Sequence, residues 1–136
     1  MSRFGWITVC EFQKAGECLA FGQDTACAFH LFRIVDAGLK ATAKSLHIDS
    51  YDGNWVTVSN KIEAEMKKKY PDKTDDWKAT EPFYAGILTD ILAISKARNR
   101  TLHDFKSVYG EDEAQRLFNI VEGFVQHLAA GGLKEP

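Results

Sequence analysis

The segment Arg98-Asn99-Arg100-Thr101-Leu102-His103 carries the side chains of this sequence that are best suited to chemistry. Within about two helical turns it offers a permanently charged guanidinium, an amide, and an imidazole that titrates near neutrality. A guanidinium binds phosphoryl oxygens, and an imidazole takes or gives a proton. These residue types at this spacing predict chemistry on a phosphodiester.

An apolar helix is predicted to position Arg98. Aliphatic side chains recur every three or four residues at Ile87, Ile91 and Ile94, and Arg98 extends the same stripe. Because an unpaired buried charge is costly, Arg98 must meet a partner, a solvent-filled cleft or an anion. His103 follows Asn99 by four residues, so these two side chains share a face if the helix continues that far.

A second group of polar residues lies in an otherwise apolar segment. His30, Arg33 and Asp36 are spaced three residues apart and share one broad helical face. They either line a polar active cleft or form a structural ion pair, Arg33 with Asp36, beside a buried histidine. The sequence leaves both interpretations open.

Other candidates carry weaker signals. Arg100 and Tyr109 are close enough to the Arg98 segment to line the same cleft, although core packing is the favoured interpretation of Tyr109. The trio at residues 67–69 is interpreted as a solvated, lysine-rich helix end. No function is assigned to four further residues, which are interpreted as loop, helix-end or packing residues: His47, His127, Trp55 and Trp77.

Length and composition limit the classes of function. The chain has 136 residues, which suits one domain with one core. Its net charge of −2 argues against a protein that coats long nucleic acids by charge alone. The three cysteines lack the spacing of a zinc site, so we expect no metal. Their odd number predicts reduced thiols and a cytoplasmic location. No cofactor is expected. No apolar run is long enough to span a bilayer, so no membrane association is expected.

The apolar pattern is helical almost throughout. It predicts helices over residues 12–21, 24–46, 55–70 and 111–130, and a further helix that Thr80 caps and that ends near residue 100. Residues 71–79 are predicted to form a polar mobile loop, and residues 104–110 a linker. The expected fold is an all-α antiparallel bundle of four to five helices. The narrow polar faces of the second and fourth helices suggest burial against a second copy.

The sequence resembles the HEPN superfamily (higher eukaryotes and prokaryotes nucleotide-binding) over residues 12–130, nearly the whole chain. Arg98-Asn99-x-x-x-His103 matches the superfamily motif of arginine, a polar residue, three to five residues and histidine. The resemblance to one bacterial branch rests on residues 15–20, on residues 25–26 and 29–33, which include His30 and Arg33, and on residues 109–128. Asp36 departs from the pattern, because a longer glutamate is expected at its position.

The resemblance implies a helical bundle that is usually a homodimer, with both motifs meeting at the interface. Many active members are metal-independent endoribonucleases of toxin–antitoxin, abortive-infection or CRISPR-linked defence systems, and an antitoxin or other protein partner is then expected. Arg98, Asn99 and His103 become the catalytic candidates, and RNA the expected substrate. Branch members often carry extra sequence before this domain, so the chain is either one whole HEPN-like domain, residues 1–136, or the C-terminal domain of a longer protein.

Two alternatives to the ribonuclease remain open. One is a catalytically inactive HEPN-like dimer that binds a nucleotide or a protein partner, which the low net charge favours. The other is a purely structural dimerisation domain, in which Arg98 and His103 satisfy buried polar groups. The intact Arg-Asn-x-x-x-His motif favours the enzyme.

Overall fold

The computed structural model describes residues 6–49, 51–103 and 110–133, and these residues are helical apart from their short connections. For residues 6, 7 and 99–103 the description covers the helical backbone alone. The five helices are α1 (Trp6–Ala20), α2 (Asp24–Ser45), α3 (Trp55–Lys67), α4 (Asp75–His103) and α5 (Glu111–Ala130). A 3-10 turn, Tyr70–Asp72, lies between α3 and α4. The prediction of an all-α bundle is confirmed.

The helix α2 is the centre of the bundle. It packs against α1, α3 and α5, while α4 packs against α3 and α5. The predicted stripe of isoleucines on α4 is fully buried, as are Leu31, Val35 and Leu39 of α2 and Phe124 of α5. Phe29 of α2 is 68% exposed, because it lies about 100° around the helix from Ala28, which is buried.

Two predicted helix starts are wrong. The first helix begins at Trp6 rather than near residue 12, and Thr8, Glu11 and Ala15 are buried at helical spacing along it. These three positions pack where α1 meets α2, a long-range contact that local propensity does not report.

The fourth helix begins at Asp75, so the predicted loop over residues 71–79 and the cap at Thr80 are also wrong. The hydroxyl of Thr74 accepts a hydrogen bond from the backbone N–H of Trp77, at 3.1 Å, and caps the helix instead. Pro82 lies inside α4. The ring of Trp77 stacks on Tyr84, which lies two turns further along the same face of α4, with 5.1 Å between the ring centroids. This packing offsets the loss of the hydrogen bond that Pro82 cannot make.

Gly38 of α2 allows the closest approach of α5. A Cβ atom there would lie 2.6 Å from Cε2 of Phe124, whereas a Cβ atom on Gly123 would meet nothing within 4 Å. Overpacking costs about 1–3 kcal/mol, and alanine returns up to about 1 kcal/mol of helix propensity. We therefore expect Gly38→Ala to lower the free energy of unfolding by about 1–2 kcal/mol, and the control Gly123→Ala to raise it by about 0.5–1 kcal/mol. Urea denaturation followed by circular dichroism measures both, and equal stabilisation by the two variants would show that the Phe124 ring yields to the added methyl.

Candidate functional site

Arg98 lies about one and a half turns before the end of α4. The helix continues to His103, which meets the condition for Asn99 and His103 to share a face. Arg98 and His103 are five residues apart, which corresponds to about 7.5 Å along the axis and about 140° around it. The side chains of Asn99, Arg100 and His103 lie outside the described residues, and so does Tyr109.

The guanidinium of Arg98 stacks on the indole ring of Trp55, the first residue of α3. Its Cζ atom lies 4.0 Å from the ring centroid, a cation–π contact. Trp55 is 3% exposed, and its indole N–H donates a 2.8 Å hydrogen bond to Oδ1 of Asp36 on α2. Three helices therefore fix this group: α2 holds the indole, and the indole provides the face on which Arg98 of α4 lies. Trp55, interpreted from sequence as a packing residue, is in addition the platform for Arg98.

The Nε atom of Arg98 is buried and has no hydrogen-bond partner among the residues that the structure describes. The hydroxyl of Tyr51, in the connection before α3, is buried and unpartnered in the same way. A buried donor without a partner costs about 1–3 kcal/mol. Most buried polar groups in folded proteins are satisfied. The charge of Arg98 acts on the Tyr51 hydroxyl, so these two donors lie in the same region of the fold.

Tyr51 is a residue that sequence reasoning missed. Burial and, to a smaller extent, the carboxylates of Asp36 and Asp52 raise its pKa to about 12, while the positive charge of Arg98 opposes this increase. The phenol is therefore protonated at physiological pH and can act only as a neutral donor or acceptor. Nothing in the sequence around residue 98 points to it, because 47 residues separate it from Arg98.

The second polar group is organised by Glu11, which sequence reasoning also missed. The side chain of Glu11 is 5% exposed; its Oε2 lies 2.6 Å from Nδ1 of His30 and its Oε1 lies 3.3 Å from Nε of Arg33. The hypothesis of an Arg33–Asp36 ion pair is wrong, since Arg33 pairs with Glu11 and Asp36 accepts the indole N–H of Trp55. The sequence signal available for Glu11 is a lone carboxylate within the mostly apolar residues 4–12.

A similar carboxylate–imidazole contact occurs elsewhere in the bundle. Nδ1 of His127 on α5 lies 2.6 Å from Oδ2 of Asp90 on α4. The side chain of His127 is 57% exposed, and no guanidinium joins the pair in the described residues. His127 therefore provides a matched comparison for His30.

The lysine-rich end of α3 belongs to a different part of the molecule. Residues 67–69 are exposed, as predicted, and Lys68 and Lys61 both pair with Glu65, at 3.0 and 3.3 Å. Lys61, Glu65 and Lys68 border a polar cleft of about 510 Å³. This cleft lies between the end of α2, α3 and the start of α4, and Trp77 also lines it. Trp77 is 21 residues from Arg98 along α4, about 30 Å, so this cleft is separate from the Arg98 group.

Cys27 is buried, and burial raises its thiol pKa to about 11, as suits a small apolar core residue rather than a nucleophile. In the described part of the chain, no three side chains of His, Cys, Asp or Glu are grouped closely enough to hold a metal ion. No helix in these ranges has the length and apolarity that a bilayer span requires. Comparisons of the chain with protein-family models, with curated proteins and with solved structures find no match.

Proposed function

We propose that this chain is a metal-independent endoribonuclease of HEPN type that acts as a homodimer. The observation that supports it best is Arg98, held 4.0 Å above the Trp55 ring with a buried Nε that has no hydrogen-bond partner. A phosphoryl oxygen in contact with Arg98 would satisfy that donor. Tyr51 would supply a second donor to the same anion, since its pKa of about 12 keeps it protonated.

RNA carries its own nucleophile, the 2′-hydroxyl, so the reaction needs no activated water. His103 removes the proton of the 2′-hydroxyl or gives a proton to the departing 5′-oxygen. Arg98 stabilises the negative charge that gathers on the phosphoryl oxygens, and Asn99 orients His103 or a phosphoryl oxygen. The products are a 2′,3′-cyclic phosphate and a 5′-hydroxyl. In the dimer, two copies of this motif face one cleft, and an antitoxin or another protein partner regulates it.

The test is cleavage of mixed-sequence RNA and of tRNA in EDTA, with wild type beside His103→Ala. We expect wild type to leave 2′,3′-cyclic phosphate ends and His103→Ala to cleave at least about 100-fold more slowly, which is the usual contribution of a general acid or base. His127→Ala is the control, because it removes a surface imidazole that lies outside the motif. Cleavage by His103→Ala at the wild-type rate would refute the assignment.

A second candidate function is a HEPN-like dimer that binds a nucleotide or protein without cleaving RNA. The observation in its favour is charge: the chain carries a net charge of −2, and the carboxylates of Asp36 and Asp52 act on Tyr51 from close range. Carboxylates near the Arg98 group repel a polyanion such as RNA and weaken its binding. They weaken the binding of a small ligand less, because such a ligand carries fewer negative charges. A well-folded dimer that cleaves no RNA in EDTA would favour this candidate.

A further inference from the structure

α1 and α2 together hold a carboxylate-oriented imidazole that the Arg98 motif does not include. An ionised carboxylate can only accept a hydrogen bond. The 2.6 Å contact therefore places a ring hydrogen of His30 on Nδ1, which donates to Oε2 of Glu11. Nε2 then carries a free lone pair. The His30 side chain is 24% exposed while Glu11 is 5% exposed, so the oriented ring lies at the surface and its orienting group below it. This arrangement fixes one tautomer and the orientation of the ring, as a general acid–base residue requires.

The surface beside His30 is suited to single-stranded RNA. Phe29 is 68% exposed, and the side chain of Arg33, one turn further along α2, is 67% exposed. Phe29 and Arg33 are four residues apart and therefore share a face. An exposed aromatic ring stacks on an unpaired base, and a guanidinium binds the neighbouring phosphate.

α2 also links this surface to the Arg98 group. Asp36, which holds the Trp55 indole under Arg98, is six residues after His30, about 9 Å along the helix axis. Arg33 lies midway between them. His30, Arg33 and Asp36 are all at least partly exposed, so the two polar groups adjoin one another along the surface of α2.

We propose that His30 is the second acid–base group of the RNA-cleaving site, with Glu11 as its positioning residue and with Phe29 and Arg33 holding the adjoining nucleotide. This inference rests on the proposed function. One imidazole, of His30 or His103, takes the 2′-hydroxyl proton as the 2′-oxygen bonds to phosphorus. The other gives its proton to the 5′-oxygen as the phosphorus–O5′ bond breaks. Both rings return to their starting protonation states by exchange with water.

The experiment measures kcat/KM against pH for cleavage of a mixed-sequence single-stranded RNA oligonucleotide. The variants are His30→Ala, His30→Gln and Glu11→Gln, and the control is His127→Ala. His30→Gln retains an amide donor for Glu11, so it preserves a structural contact while removing the titratable ring. Circular dichroism confirms folding of each variant.

We expect a bell-shaped profile for wild type, and at least a 100-fold loss with disappearance of one limb in both His30 variants. Glu11→Gln should retain both limbs but lower kcat/KM by about tenfold or more, because the amide can turn its N–H toward Nδ1 and favour the wrong tautomer of the ring. His127→Ala should match wild type. Wild-type rates with both limbs intact in His30→Gln, while His103→Ala is inactive, would overturn the role of His30 alone; absence of cleavage by wild type would overturn the proposed function and this inference together.

Discussion

Arg98→Met is expected to lower the rate of RNA cleavage by about 10²–10³-fold, the usual cost of removing one group that stabilises transition-state charge. The same substitution is expected to raise the free energy of unfolding by about 1 kcal/mol. It loses a cation–π contact with Trp55 worth about 0.5–2 kcal/mol, and it removes a buried donor whose lack of a partner costs about 1–3 kcal/mol. Methionine keeps the length of the aliphatic stem and its contact with the indole ring.

A lower cleavage rate together with a higher free energy of unfolding would identify Arg98 as a residue that binds substrate. Functional sites often retain side chains that reduce the stability of the fold. Single-turnover cleavage and urea denaturation measure the two quantities, and sedimentation shows whether the dimer persists. Arg98→Lys is the companion variant: it keeps the charge but loses the planar fork, so cleavage should recover in part. A loss of 2 kcal/mol or more in Arg98→Met, on the order of a broken buried hydrogen-bond network, would mean instead that Arg98 is a structural residue.

Tyr51→Phe is expected to reduce cleavage by about tenfold, the value of one lost neutral hydrogen bond, and to raise the free energy of unfolding by about 1 kcal/mol, because it removes a buried donor without a partner. The hydroxyl contributes no hydrogen bond to the fold. The same cleavage and denaturation assays measure both effects. A large loss of stability in this variant would indicate that the hydroxyl already has a partner in the folded protein.

The sequence predicted the features that depend on local periodicity. The stripe of isoleucines on α4 is buried, and Arg98 extends it to the edge of the core. The boundaries of α2 and α5 follow in the same way from apolar spacing and from the glycines at residues 131–132. The start of α4 could not be predicted from the sequence, because Pro82 favours a later start. The stacking of Trp77 on Tyr84, which favours the earlier start, forms only when both residues are in the helix.

The contacts that define the candidate site are long-range. Glu11 is 19 residues from His30, Asp36 is 19 residues from Trp55, and Trp55 is 43 residues from Arg98. The sequence alone indicates Arg98, His30 and Arg33 as candidates, because placing polar side chains among apolar ones is costly. The cost of burying a charge also predicts that Glu11 needs a partner, but it does not identify that partner as His30 or Arg33. Those pairings follow from the packing of α1 and α3 against α2 and of α4 against α3.

Trp55→Ala is expected to lower the free energy of unfolding by about 3–5 kcal/mol, the usual cost of truncating a buried aromatic side chain. Trp55 is 3% exposed and connects three helices, through its own position on α3, its hydrogen bond to Asp36 and its stacking under Arg98. Urea denaturation measures this loss. A loss below about 1 kcal/mol would show that the indole is not the packing centre of this region.

Trp55→Phe separates packing from positioning. Phenylalanine keeps an aromatic face under Arg98 and fills most of the volume, but it cannot donate to Asp36, so we expect a stability loss of about 1 kcal/mol. Without that hydrogen bond the ring and the guanidinium above it are free to shift, and a displacement of about 1 Å in a catalytic group lowers rates by about 100-fold. Trp77→Phe is the matched control, because Trp77 is also buried and donates to a carboxylate, Glu81, at 3.0 Å, about 30 Å from Arg98. If both variants lose similar stability and Trp55→Phe alone loses cleavage, the indole positions Arg98; if the two lose cleavage equally, the effect of Trp55 acts through stability and the Arg98 platform has no separate role.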